Sequence, residues 1–353
     1  MTHPKPGQPR AGTGNGYDTP PGQAVAGGGR GFDSISGQAV AGSGFDPTPG
    51  QAVAGSGSGF DPMSGQALSG NGRGFDPIPG QAVAGSCSGF DTRAAMDVAA
   101  EAVEAACAIL LAGQADLAGL RHTVKAPGDI ATDIDRRAEE AIRRRIRRAY
   151  PGHAFLGEET GASGTAPFRW IVDPLDGTVN YVRGFPYYAV SVALEHEGRP
   201  LLGLVADPAR AECFAAIAGG GAFCNGRPLA VAGRTRLDEA VVGTVVPPPR
   251  FPGLDDYLAR FCAVARQAAG VRRAGAAALD LAAVAAGRLD AFFVVSLARW
   301  DVAAGTLLVT EAGGAVADID GGDDPLGGNR LVAANRHLLP ALLPLLSGKA
   351  GRP

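Results

Sequence analysis

The sequence predicts a mixed fold in two halves, α+β over residues 92–236 and α/β over residues 237–350, behind a disordered repeat tail at residues 1–91. Three observations carry this. Between Ala154 and Ala218, apolar runs of strand length follow one another across Gly/Pro turns, which describes a largely antiparallel sheet flanked by the two helical segments that precede it. From Ala240 onward, strand-like and helix-period segments alternate. The first ~90 residues repeat a short Gly-rich unit with one aromatic each, too little apolar surface to offset the entropy of ordering it.

The tail begins its copies at Tyr17, Phe32, Phe45, Phe60 and Phe75, and Phe90-Asp91 opens a truncated one. A Gly-Gln-Ala-Val-Ala core recurs without the leucine ladders of a solenoid or a glycine at every third position. The regular Phe-Asp pairs could be contact points for a partner, whose nature the sequence does not give, or for self-association; an expansion without a task is the alternative. After the tail, Thr92 can cap a helix from Arg93 to about Ala112, with Met96, Val103, Ala106 and Leu110 on one face. An extended, turn-rich stretch from Val124 leads to a second helix from Asp135 to about Tyr150. That helix shows Ala138, Ile142 and Ile146 on one side and Arg143, Arg144, Arg145, Arg147 and Arg148 around the rest. Basic charge near a helix C-terminus with no interleaved aromatics describes a solvated face better than a nucleic-acid surface.

Short strands are then expected at Ala154–Leu156, Phe168–Val172, Tyr187–His196, Leu201–Ala206 and Glu212–Ala218, with Pro174 and Gly177 turning the chain out of the second. Asn225-Gly226 is a hairpin-turn signal, so the preceding glycine run is no phosphate loop. In the second half the pattern gives a strand to Val246, helices Leu254–Ala269 and Ala276–Ala286, a strand Ala291–Val295, a helix Trp300–Glu311, a strand Leu331–Ala333 and a helix His337–Leu346.

Composition narrows the function. A net charge of −3 implies no overall pull toward nucleic acid or anionic membrane. No apolar run approaches a membrane span and the first ten residues carry no signal-peptide core, so the expected location is cytoplasmic. Five cysteines, scattered and odd in number, predict reduced thiols, not a zinc site.

The informative residues are acids at strand ends. Asp173 and Asp176 sit three apart around Pro174 and can face one point, where a hard divalent cation would offset their repulsion; two solvated turn formers are the plainer reading. Glu158-Glu159 follows another short strand, and Asp301 follows a third, where it can serve as a helix N-cap. Acids gathered together destabilise a fold unless a cation compensates.

Gly157-Glu158-Glu159, Asp173-Pro-Leu-Asp176-Gly-Thr178-Val-Asn180 and Trp300-Asp301-Val-Ala-Ala-Gly305 resemble, in order and spacing, the signature motifs of the inositol monophosphatase family, and the likeness spans about Asp97 to Leu346. The resemblance implies a five-layer αβαβα sandwich and Mg²⁺-dependent hydrolysis of a small phosphate monoester. It implies one ion held by Glu158, Asp173 and the Leu175 carbonyl, and a second by Asp173, Asp176 and Asp301. A third, weaker ion would lie near Glu158 and Asp135. By the same resemblance Thr178 and Asp135, assisted by Glu158, orient and deprotonate the attacking water. The Gly177 and Thr178 amides receive phosphate, with Asp176, Lys125, Ala277 and Arg272 on the substrate side. Family members are often homodimers.

Two departures concern the substrate. Where inositol-specific members carry a glutamate seven residues before the Trp-Asp aspartate, this chain has Val294, and the family's Gly-Ser/Thr-Ala-Ala reads Gly275-Ala276-Ala277-Ala278. Losing a buried acceptor weakens recognition of sugar hydroxyls. Histidinol phosphate, fructose 1,6-bisphosphate and 3′-phosphoadenosine 5′-phosphate therefore remain alternatives beside an inositol or sugar phosphate. Arg272, Arg273 and Arg299 could hold a second anionic group or pair on the surface. A non-catalytic protein with a retained phosphatase fold is the reading of another class.

Overall fold

The structure, a computed structural model, describes residues 89–115, 117, 122–126, 129–248, 250–322, 324, 326–327 and 330–347, with backbone alone at 122–126, 129 and 130. The tail expectation therefore lies outside the described residues, except for its last Gly89-Phe90-Asp91.

Helix α1 (Thr92–Gln114) is capped by Asp91, not by the expected Thr92: Asp91 Oδ1 accepts the Ala94 N–H at 2.9 Å. A carboxylate at the positive end of a helix gains from the dipole as well as from the hydrogen bond. The stretch expected to be merely extended forms a hairpin, β1 (His122–Ala126) against β2 (Asp129–Thr132). Helix α2 (Asp133–Ala149) starts two residues earlier than predicted because Thr132 and Asp135 cap it reciprocally. Its exposed face carries Arg144, Arg145, Arg147 and Arg148, while Arg143 lies over the Phe155 ring.

Eight strands form the first sheet: β3 (Ala154–Gly157), β4 (Gly161–Ser163), β5 (Phe168–Asp176), β6 (Ala189–His196), β7 (Arg199–Asp207), β8 (Glu212–Ile217), β9 (Gly221–Cys224) and β10 (Arg227–Pro228). Their order is β10-β9-β8-β7-β6-β5-β3-β4, antiparallel except for β3 beside β5. Asn225 and Gly226, both at positive φ, make the expected hairpin turn between β9 and β10. Pro174 does not end its strand as predicted. Asp173 pairs with Ser191 and Asp176 with Ala189, so β5 carries one residue more than β6 over this interval. Proline, which lacks the N–H for the ladder, is tolerated at such a bulge.

The second sheet holds β11 (Val241–Thr244), β12 (Gly270–Arg272), β13 (Ala291–Val294), β14 (Ala315–Asp318) and β15 (Leu331–Ala334) in the order β12-β11-β13-β15-β14, the first three parallel. Its helices are α4 (Leu254–Ala265), α5 (Ala277–Ala285), α6 (Arg299–Glu311) and α7 (Leu339–Leu346), while the short α3 (Thr178–Val182) follows β5.

Apolar residues divide among three cores. Met96, Leu110, Ile142 and Trp170 pack α1 and α2 on one face of the large sheet. Phe214, Leu281, Phe292 and Leu308 fill the space between the sheets around α5 and α6. Tyr257, Val264, Phe293 and Leu342 seal the outer face of the second sheet under α4 and α7. The layers run αβαβα. Because α6 lies between two sheets, it is buried nearly all round, and no polar stripe is left to mark it in sequence.

No helix among the described residues is long and apolar enough to cross a membrane. Cys107 and Cys213 are buried free thiols, Cys224 is half-buried and Cys262 exposed; Cys87 lies outside the described residues.

Candidate metal centre and active site

Parallel pairing of β3 with β5 brings the first two acids together. Gly157 pairs with Val172, and the Glu158 N–H continues the ladder to the Val172 carbonyl at 3.1 Å, so Glu158 and Asp173 leave adjacent strand ends. The bulge then carries Asp176 beside Asp173. From the other half, α6 contributes Asp301 in its first turn. Asp301 is not the N-cap that the sequence suggested: Ala298 is, and Asp301 Oδ2 accepts its N–H at 2.7 Å. Carboxylate oxygens of Asp173, Asp176 and Asp301 all lie within 4.8 Å of one another.

Asp173 is 1% exposed, and Asp176 and Asp301 are half-buried. Removal from water, and then the charges of Glu158, Asp176 and Asp301, hold Asp173 well above the usual carboxylate range. Asp176 is raised in the same way, by burial first and by Asp301 next. Burial lifts Asp301 to about 7, with Glu158 adding to the rise and the Ala298 N–H opposing it. Such a cluster is unfavourable alone. Its donors are all oxygen and converge within one small volume, which fits a hard divalent cation.

Several groups hold the acids in place. The Leu175 N–H donates to Asp173 Oδ1 at 3.0 Å. The Ala278 N–H, in the first turn of α5, donates to Asp176 Oδ2 at 2.7 Å. Ala276, the N-cap residue of α5, has no side-chain acceptor, so a carboxylate from the β5 loop caps that helix instead. Gly177 has φ +88, and a Cβ there would lie 3.0 Å from the Tyr187 carbonyl oxygen and 3.2 Å from that of Gly275. Only glycine fits. The Thr178 hydroxyl lies 3.0 Å from the Leu175 carbonyl oxygen and 3.1 Å from Asp135 Oδ1. Asp135 Oδ2 in turn accepts from the Thr132 N–H and hydroxyl. Burial, its largest influence, raises Asp135 against those hydrogen bonds.

Two residues to which the sequence assigned no role in the site support this arrangement. Glu139, in the helix whose arginines make the expected solvated face, is fully buried and accepts the Glu159 and Thr160 N–H groups at 2.8 and 2.9 Å, which fixes the turn that carries Glu158. Its signal was a glutamate on the apolar side of the helix, one residue after Ala138. Asn180 donates to the carbonyls of Tyr187 and Ala274 at 2.7 and 2.9 Å, tying the β5 loop to the second half.

The substrate-side residues are more dispersed. Lys125 lies in β1, and its side chain is outside the described residues. Ala277 is buried in the first turn of α5. Val294 ends β13 inside the core between the sheets, where it is 1% exposed. Arg272 lines a cavity of about 310 Å³ with Tyr187, Arg210 and Asp280. Arg299 does not stand ready for a second anion: it pairs with buried Glu195 at 2.6 Å, which Arg169 also holds at 2.8 Å.

A sequence model described as the Inositol monophosphatase family matches residues 90–349. The chain belongs to the inositol monophosphatase family. Among its relatives, an inositol-1-monophosphatase of Mesorhizobium japonicum is 45% identical over 230 residues, covering 65% of this chain and 86% of the relative. The Nus factor SuhB of Pseudomonas aeruginosa is 48% identical over 221 residues, covering 61% and 82%. In three dimensions the chain resembles the crystal structure of extragenic suppressor protein suhB from Bartonella henselae, with TM-score 0.69, 40% identity and coverage of 72% of this chain and 98% of that one. Inositol monophosphatase from Anabaena gives TM-score 0.66 at 35% identity, covering 73% and 97%. Membership in this inositol monophosphatase family, with its fold and its cluster of three acids, supports a metal-dependent phosphomonoesterase.

Proposed function

We propose that residues 92–350 form a catalytic unit that hydrolyses a small inositol- or sugar-type phosphate monoester with two or three Mg²⁺ ions. The observation that carries this reading is the convergence of acids from β5 and α6 on one point, each held above its ordinary range. Glu158, Asp173, Asp176, Asp301 and the Leu175 carbonyl are the proposed ligands. When bound, Mg²⁺ supplies Lewis acidity toward the phosphoryl and leaving oxygens.

The chain's own groups then have distinct tasks. The Gly177 and Thr178 amides receive phosphate oxygens at the start of α3. Thr178 Oγ, bridging Asp135 and the Leu175 carbonyl, positions a water for in-line attack on phosphorus. Asp135 Oδ1 accepts the proton of that water through the threonine hydroxyl, and its raised affinity for a proton suits a base. The new P–O bond forms as the ester P–O bond breaks, and the alkoxide leaves with a proton from solvent. Arg272, Ala277 and Lys125 are the proposed substrate-side residues, and Val294 in place of a glutamate lowers the advantage of inositol over other esters.

Phosphate release should be measured for inositol 1-phosphate, fructose 1,6-bisphosphate, histidinol phosphate and 3′-phosphoadenosine 5′-phosphate with Mg²⁺, with EDTA, and in Asp173→Asn. Turnover that needs Mg²⁺ and is lost in the variant is expected. Full activity in EDTA or in Asp173→Asn would refute the proposal.

A further inference from the structure

The last copy of the tail repeat is part of the folded structure, and it shows how one copy is held. Gly89 takes φ +93, a conformation that favours glycine. Phe90 stacks on Phe168 with ring centroids 4.4 Å apart and lies 5.9 and 5.8 Å from Tyr150 and His153. Phe168 also stacks on His153 and packs against His196, so Phe90 closes a pile of rings contributed by α2's end, the following turn, β5 and β6. Asp91 caps α1 through the Ala94 N–H. Three features therefore seat the copy: a glycine for the backbone, an aromatic for the rings and a carboxylate for a helix end.

Those three features are also what every copy retains. Gly16-Tyr17-Asp18, Gly31-Phe32-Asp33, Gly44-Phe45-Asp46, Gly59-Phe60-Asp61 and Gly74-Phe75-Asp76 match Gly89-Phe90-Asp91, although the spacers between them vary. Residues 1–88, outside the described structure, end directly at this ring cluster. About 15 residues of Gly-rich chain between Phe75 and Phe90 can close a loop back to the same place, and a tether of that length gives a millimolar effective concentration.

We propose that the cluster of Tyr150, His153, Phe168 and His196 is a receptor site for Gly-aromatic-Asp units, and that upstream copies of the same chain are its alternative occupants when Phe90 leaves. The array is then a set of interchangeable rings for this cluster, while Asp91, next to Thr92, keeps the cap of α1.

The test uses the full chain. Phe90→Ala should lower Tm by a few degrees at most while the other copies are intact. The same substitution should cost at least about 4 °C more when Tyr17, Phe32, Phe45, Phe60 and Phe75 are all alanine. The five alanines alone should leave Tm unchanged. An equal loss from Phe90→Ala in both backgrounds would overturn the proposal. A photo-crosslinking phenylalanine analogue at position 75 gives an independent reading and works in the chain that keeps Phe90, should Phe90→Ala fail to fold. Crosslinks within one chain to peptides bearing Tyr150 or Phe168, increased by Phe90→Ala where that variant folds, are expected. No crosslink to them, or crosslinks only between two chains, would count against same-chain exchange.

Discussion

Gly157 and Glu139 meet so closely that a side chain at position 157 has to displace the Glu139 carboxylate. A Cβ at Gly157 would stand 2.5 Å from the Glu139 carboxylate, whose oxygens hold the turn bearing Glu158. Gly157→Ala should therefore destabilise the protein by about 1–3 kcal/mol and weaken Mg²⁺ affinity; urea midpoints and calorimetry check both, and an unchanged midpoint would show that the turn relaxes freely. The acid cluster makes a second prediction through its protons. Asp301 is lifted from 3.8 to about 7, so the folded state favours its protonated form, and its contribution to stability is present below pH 4 and lost as pH rises through 7. In EDTA, Asp301→Asn should thus be more stable than the parent at pH 8, with the advantage vanishing near pH 4. A constant difference across that range would contradict the assigned burial effect. The acids themselves were legible because their motifs name them. Glu139 was not, since in a helix of charges its place on the apolar side is a weak signal until the opposite turn is there to receive the carboxylate.

Helix α5 begins without a cap of its own, and the β5 bulge supplies one. Asp176→Ala should free the Ala278 N–H and fray the first turn, costing about 0.5–2 kcal/mol and raising amide exchange over Ala277–Leu281, whereas Asp176→Asn keeps an acceptor oxygen and should preserve protection. Equal exchange in the two variants would show that the cap is not needed. Most elements were readable from apolar period and turn residues, to within a few residues at their ends. The errors share a cause: Pro174 looked like a terminator because a bulge is visible only once β6 is paired beside it, and β12 and β14 are three- and four-residue strands that exist through their neighbours.

At the scale of the molecule, the seated Phe90-Asp91 moves the boundary of what can be removed. A deletion of residues 1–91, the whole of the expected disordered tail, takes away the α1 cap and one ring of the aromatic pile. Deleting residues 1–88 should leave kcat and Tm unchanged, while deleting 1–91 should lower stability by about 1–2 kcal/mol; an identical Tm for both truncations would show that the last copy is idle. The layered architecture itself was implied by the family motifs, not by periodicity, because α6 is sandwiched and has no polar face to read. That sandwiching sets a tolerance. Gly203 on β7 faces α6 so closely that a methyl would lie 2.9 Å from the Ala304 Cα, one turn from Asp301. The helix behaves as a bolt seated against the sheet, and its tip carries Asp301. A single added carbon at Gly203, on a strand that bears none of the clustered acids, would back the bolt out and be recorded in an assay as a defect in metal binding.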